Sequence, residues 1–215
     1  MPSPAWLTSK LSTLLGADLI GLWLGDDAVV DGSSDVTSLP ERVGAALNNG
    51  GAGKFKTSLL YGRRGLLGVA GQLSRLQATL ASAVKTIYVA CQTPEIVTPG
   101  YFNILDSTAG ADTGAIQVNT SVGQRALYTG GGWTHYVDGV ASENVPVPGS
   151  KAVCTIEANK AANTATTIWV GHTGGDYSWK APMPLIMALS SGFASAAVRA
   201  DVNAICRKYC VFPPA

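Results

Sequence analysis

The feature that most constrains this chain is a series of short apolar runs, each closed by turn residues. The runs are 19–24, 57–61, 66–69, 86–91, 101–105, 115–118, 125–129, 133–137, 153–158, 166–170 and 184–189. Gly, Asn, Asp or Pro separates most of them. Runs of four to six residues are too short for core helices and suit strands. Ten or more at this spacing predict an all-β, two-sheet antiparallel sandwich. The run at 184–189 is apolar throughout, which predicts a central strand covered on both faces.

Two segments carry a helical period instead. Ser3 and Pro4 suit a helix start, Trp6, Leu7, Leu11, Leu14 and Leu15 share a face, and Gly16 suits a stop. This short N-terminal helix, residues 1–16, reads as an arm with two fates: packing on its own domain or docking on a neighbouring subunit. Residues 17–215 read as one sandwich domain. A C-terminal helix follows Ser195, with Val198, Val202, Ile205 and Tyr209 on one face and Arg207 and Lys208 in its last turn. Two hairpins are expected. One turns at Asp138-Gly139, a type I′ pair. The other turns at 159–163 and would join 153–158 to 166–170. In the first of these runs Cys154, Ile156 and Ala158 alternate with Val153, Thr155 and Glu157, so one face is expected to be buried.

Composition narrows the function classes. Of 215 residues, 47% are hydrophobic and 13% charged, with a net charge of +1. That balance gives no electrostatic footprint for nucleic acid. No apolar stretch of about 18 residues is present, so no membrane helix is expected. Asp18, Asp26 and Asp27 interrupt the first apolar stretch, and no secretory signal is read there. Cys91, Cys154, Cys206 and Cys210 are expected to be reduced and mostly buried.

The order of elements resembles the concanavalin A-like lectin/glucanase superfamily in its laminin-G-like form, found in many phage and bacterial surface proteins. Three segments carry the resemblance. The first is DLIGLWLGDD at 18–27, similar to the family's entry strand. The second is HYVDGV at 135–140, similar to its Tyr-Val-Asn-Gly turn. The third is IWVGH at 168–172, followed by Trp179-Lys180, the apolar strand to Leu189 and the helix ending RKYCVF at 207–212. The likeness runs from about residue 18 to 212 and implies a jelly roll. The chain departs from the family where Met187-Ala188-Leu189 replaces a strand that often carries an acidic residue. The fold hosts lectins, hydrolases and structural modules, so it does not fix a function.

The chemistry-bearing residues discriminate among those classes. A hydrolase of this superfamily needs paired carboxylates on one strand. The four glutamates, Glu41, Glu95, Glu143 and Glu157, each lack a second carboxylate two or three residues away, so no enzyme is expected. The segment NGGAGK at 49–54, with Gly50, Gly51, Gly53 and Lys54, fails as a phosphate loop. Phe55 stands where Ser or Thr would hold magnesium, and no glycine opens the loop. His135 and His172 are the two histidines and lack the companions of a zinc site. Asp26, Asp27, Asp31 and Asp35, with Asp106 and Asp112 around a later loop, match no strict calcium loop. No cofactor is expected, and calcium is the one metal left open.

Sugar binding would need an exposed aromatic beside amides or carboxylates. The candidates are Trp133, His135, Tyr136, Trp169, His172, Asp176, Tyr177 and Trp179, with Asp138. Trp169 is out of phase with Ile168 and Val170 and is expected to face away from their core. A fold used outside cells, without an export signal, points to a particle made in a host cytoplasm. The expectation is therefore a non-catalytic phage virion protein, decorating the head or forming part of a tail or fibre. It would be a homo-oligomer whose partners are other virion proteins. The alternative is a lectin-like module for host surface glycan.

Overall fold

The computed structural model describes residues 1–49, 55–69, 75–93, 101–106, 116–119, 126–127, 132–145, 152–171 and 181–213. The chain opens with α1 (Pro4–Leu15), then runs through β1 (Leu19–Leu24), β2 (Val29–Val30), β3 (Val36–Leu39), β4 (Glu41–Val43) and β5 (Leu47–Asn49). It continues with β6 (Lys56–Leu60), β7 (Arg63–Leu67), β8 (Arg75–Thr79), β9 (Thr86–Gln92), β10 (Tyr101–Asp106), β11 (Ile116–Asn119) and β12 (Ala126–Leu127). The last elements are β13 (Thr134–Val137), β14 (Val140–Ala141), β15 (Val153–Asn159), β16 (Thr167–Gly171), β17 (Leu185–Leu189) and α2 (Ala196–Cys210).

The strands form two antiparallel sheets and one separate hairpin. The first sheet has the order β14-β13-β15-β9-β17-β1-β4 and the second β12-β11-β10-β16-β8-β5-β3-β2, while β6 and β7 pair with each other. This is the expected all-β, two-sheet antiparallel sandwich, with a helix near each end of the chain. Side chains alternate across each strand, and the inward sets meet in one core. Trp23, Ile87, Val89, Ile156, Ile186 and Ala188 come from the first sheet; Leu47, Leu76, Ile116, Ile168 and Val170 come from the second.

A second core lies on the outer face of the first sheet. Leu22, Leu24, Tyr88, Leu185 and Met187 pack there under Leu7 and Leu11 of α1 and Val202, Cys206, Tyr209 and Cys210 of α2. Residues 1–16 are therefore a layer of the domain rather than a detached arm. Ser3 caps α1 by accepting from the Trp6 N–H, and Gly16 ends it at φ +56°. Leu7 and Leu11 have no exposed surface. Burial of that kind contributes roughly 1.5–3 kcal/mol per side chain.

The two expected hairpins differ in outcome. Asp138 and Gly139 have φ of +51° and +83°, and β13 pairs with β14 across them. The turn at 159–163 makes no hairpin. β15 pairs with β9 and β13, whereas β16 pairs with β8 and β10 in the opposite sheet. The connection crosses between sheets because its polar groups are satisfied elsewhere. The buried Asn163 donates to the Val84 carbonyl at 2.7 Å, and the Lys160 N–H donates to the Lys85 carbonyl at 2.8 Å. As expected, β17 lies between β9 and β1, with every residue buried.

Candidate functional site

The densest polar chemistry lies where α2 crosses β9, β15 and the β13–β14 turn. Asp138 Oδ1 accepts from the Thr155 N–H at 2.9 Å and from Arg207. Asn203, on the buried face of α2, accepts from the Tyr88 hydroxyl at 2.6 Å and the Thr155 hydroxyl at 2.7 Å. A Cβ on Gly139 would stand 2.4 Å from Asn203 Nδ2. The glycine thus serves close helix approach as well as the turn. A groove of about 610 Å³ opens beside this network, and Val140, Ala196, Ala200, Ala204 and Phe212 supply its apolar walls.

One turn earlier on α2, Arg199 grips Glu157 with two bonds, of 2.6 and 3.1 Å. Its guanidinium also lies 3.7 Å from the centre of the Tyr136 ring. Glu157 is only 2% exposed. Burial raises its pKa above the usual carboxylate range, and Arg199 opposes that rise. The bond to Glu157 in turn raises the pKa of Arg199. These groups saturate one another, so the arrangement is a clasp between helix and sheet rather than an acid–base pair facing a substrate.

Of the sugar-binding candidates among the described residues, Trp133 and His135 line one cavity, whereas Tyr136 and Trp169 stand apart from it. Trp133 and His135 are each 3% exposed and share the inward parity of Val137, so both belong to the interior. With Thr134, Ala141, Ser142, Glu143 and Asn144 they border a cavity of about 570 Å³, to which both contribute little exposed surface. Tyr136 points the opposite way, under Arg199. Trp169 fulfils its expectation: Ile168 and Val170 are in the core, and Trp169 stands on the outer face of the second sheet, half-buried. His172, Asp176, Tyr177 and Trp179 lie outside the described residues, as do 50–54 of the glycine-rich segment and Asp112.

That outer face carries residues absent from the candidate set. Cross-strand pairing aligns Ser38, Asn48, Gln77 and Trp169 in one row across β3, β5, β8 and β16. Arg75 of β8 lies over the Trp169 ring at 3.9 Å. The signal for β8 was the alternation of Leu76, Ala78 and Leu80 with Arg75, Gln77 and Thr79. Both helices cover the first sheet, and no described helix covers the second.

The four clustered aspartates diverge to separate partners. Asp26 accepts from Arg63 at 3.0 Å, the Arg64 N–H at 2.9 Å and the Tyr209 hydroxyl at 2.9 Å. Asp27 pairs with Arg42, and Asp35 pairs with Lys56 at 2.6 Å. Asp31 folds its own loop by accepting from the N–H groups of Ser33 and Asp35. Among the described residues no group of three or more acidic, histidine or cysteine side chains is placed to hold a metal ion.

No family model and no curated protein sequence matches the chain. Solved structures do match it in shape. One is Trypanosoma rangeli sialidase, at TM-score 0.56 and 11% identity, over 94% of this chain and 34% of that one. The same enzyme as a covalent intermediate with 2,3-difluorosialic acid gives 0.54 and 12%, with the same coverage. The chain thus spans about a third of the length of the structures it matches. At this identity the likeness extends to the fold, a two-sheet β-sandwich, and no further.

Proposed function

We propose that the chain is a non-catalytic, concanavalin A-like jelly-roll subunit of a phage virion, packing against other virion proteins and copies of itself in a head decoration, tail or fibre. One observation carries the reading: among the described residues, helices cover one face of the sandwich and none covers the other. That second face aligns the uncharged Ser38, Asn48 and Gln77 beside Trp169. The row also carries charge, with Arg75 stacked on Trp169 and Asp106 paired opposite Trp169. Ser38, Asn48 and Gln77 nevertheless extend it as a polar, uncharged surface that can associate without desolvating further ions, which suits assembly interfaces. The polar groups gathered beneath α2 are engaged with one another.

The same face favours a second reading, a glycan-binding module. An outward indole beside side-chain amides is the chemistry that stacks on and hydrogen-bonds a sugar. The fold-level likeness to sialidases agrees with this reading without selecting it.

Light scattering of the full chain and of Gln77→Glu and Asn48→Asp variants tests the first reading. A wild-type oligomer that dissociates when charge is placed on the face is the expected result. A wild-type monomer that binds a glycan panel, with binding lost in Trp169→Ala, would replace it with the second reading. A monomer that binds nothing counts against both.

A further inference from the structure

We propose that Cys91 and Cys154 form a latent cross-strand disulfide that closes only while the protein folds. The two residues sit directly opposite each other in the β9–β15 pairing, with their sulfurs 4.0 Å apart. Opposed residues of an antiparallel pair have Cα atoms about 4.5–5.5 Å apart, inside the range of about 4.4–6.8 Å that disulfides span. Closing the bond therefore needs side-chain rotation but no strand movement. Both side chains are fully buried between the two sheets, among Val89, Ile156 and Ile186.

Burial makes the outcome depend on when oxidant arrives. In the folded protein no oxidant reaches either sulfur, and burial raises the Cys91 pKa, which suppresses the reactive thiolate. In the unfolded chain both thiols are open. With oxidised glutathione as oxidant, one protein thiolate attacks a glutathione sulfur, expels the other glutathione as thiolate and forms a mixed disulfide. The second protein thiolate then attacks the protein sulfur of that mixed disulfide and releases the second glutathione. Two protein thiols lose two electrons, and one glutathione disulfide becomes two thiols. Once the sheets close, the pair keeps the state in which it folded. Cys206 and Cys210 offer a comparison within the chain, since they lie four apart on α2 and are also buried. Their spacing along one helix does not suit a bridge.

The test refolds the denatured full chain with oxidised glutathione or with excess reductant, and also treats the already folded, reduced protein with the same oxidant. Peptide mapping under non-reducing conditions reads the cross-links, and near-ultraviolet circular dichroism reads the fold. The expected result is a Cys91–Cys154 link in natively folded, oxidatively refolded protein. That form should melt about 5–15 °C higher than the reduced form. The protein oxidised after folding should yield four alkylatable thiols on denaturation. A soluble native product without the link, or one linked through Cys206 and Cys210 instead, overturns the proposal. So does equal linking of protein that was already folded. A Cys206→Ala/Cys210→Ala variant should still link; if it fails to fold, the wild-type peptide map decides alone.

Discussion

Replacing Arg199 with Met removes both N–H donors that Glu157 accepts from, while keeping an unbranched stem over Tyr136. The carboxylate is 2% exposed, with nowhere to rotate into water. Breaking a buried pair by removing one partner costs about 3–5 kcal/mol. The carboxylate limits the loss by taking up a proton. From an unfolded-state pKa of about 4.3, protonation at pH 7 costs about 3.7 kcal/mol, at about 1.4 kcal/mol per pH unit. The sign follows from the direction of the shift. Glu157 already has a raised pKa when folded. In the variant the opposing Arg199 is gone and the pKa rises further. The unfolded state then releases the proton more readily than the folded state, so stability falls as pH rises between the two pKa values. Urea unfolding should show Arg199→Met about 3–4 kcal/mol less stable than wild type at pH 7, with the deficit shrinking to about 1 kcal/mol near pH 5. The Glu157→Gln/Arg199→Met pair should lose that pH dependence. A deficit below about 0.5 kcal/mol at pH 7, or one unchanged down to about pH 5, would refute the reasoning.

Three further outcomes are expected. Gly25→Ala places a Cβ 2.2 Å from the Arg64 carbonyl oxygen; a loss of about 1–3 kcal/mol is expected in urea. Gly32→Ala, which meets nothing within 4 Å, should leave the midpoint unchanged, and equal effects at the two sites would contradict the packing argument. Deleting residues 1–16 uncovers the outer face of the first sheet and removes two buried leucines. A loss of about 3–6 kcal/mol or aggregation is expected, and a truncated chain that melts like the full one would mean α1 contributes little. Trp169→Ala, outward and half-buried, should leave the far-ultraviolet spectrum unchanged; a collapse of the fold would show that the ring is structural.

Local patterns determined the elements that depend on local physics. Ser3, Pro4 and Gly16 set the ends of α1, and Ser195 caps α2. Asp138-Gly139 fixed its turn because only residues tolerant of positive φ suit it. Period-two alternation placed Ile168 and Val170 inward and Trp169 outward. The short strands at 29–49 escaped notice because they lie at sheet edges and in the polar outer row, where burial imposes little pattern.

What tertiary structure alone decided was which faces meet. Alternation says that β15 has two faces, but not that α2 covers the second, so nothing local to Glu157 names Arg199 as its partner. An inward parity for Trp133 and His135 becomes burial only when the rest of the fold packs around them. The turn at 159–163 has hairpin spacing, yet Asn163 and Lys160 bind Val84 and Lys85, far away in sequence, and send the chain to the other sheet. Sequence periodicity assigns each side chain to a face. Only long-range packing assigns each face a partner, because the surfaces that meet lie far apart in sequence.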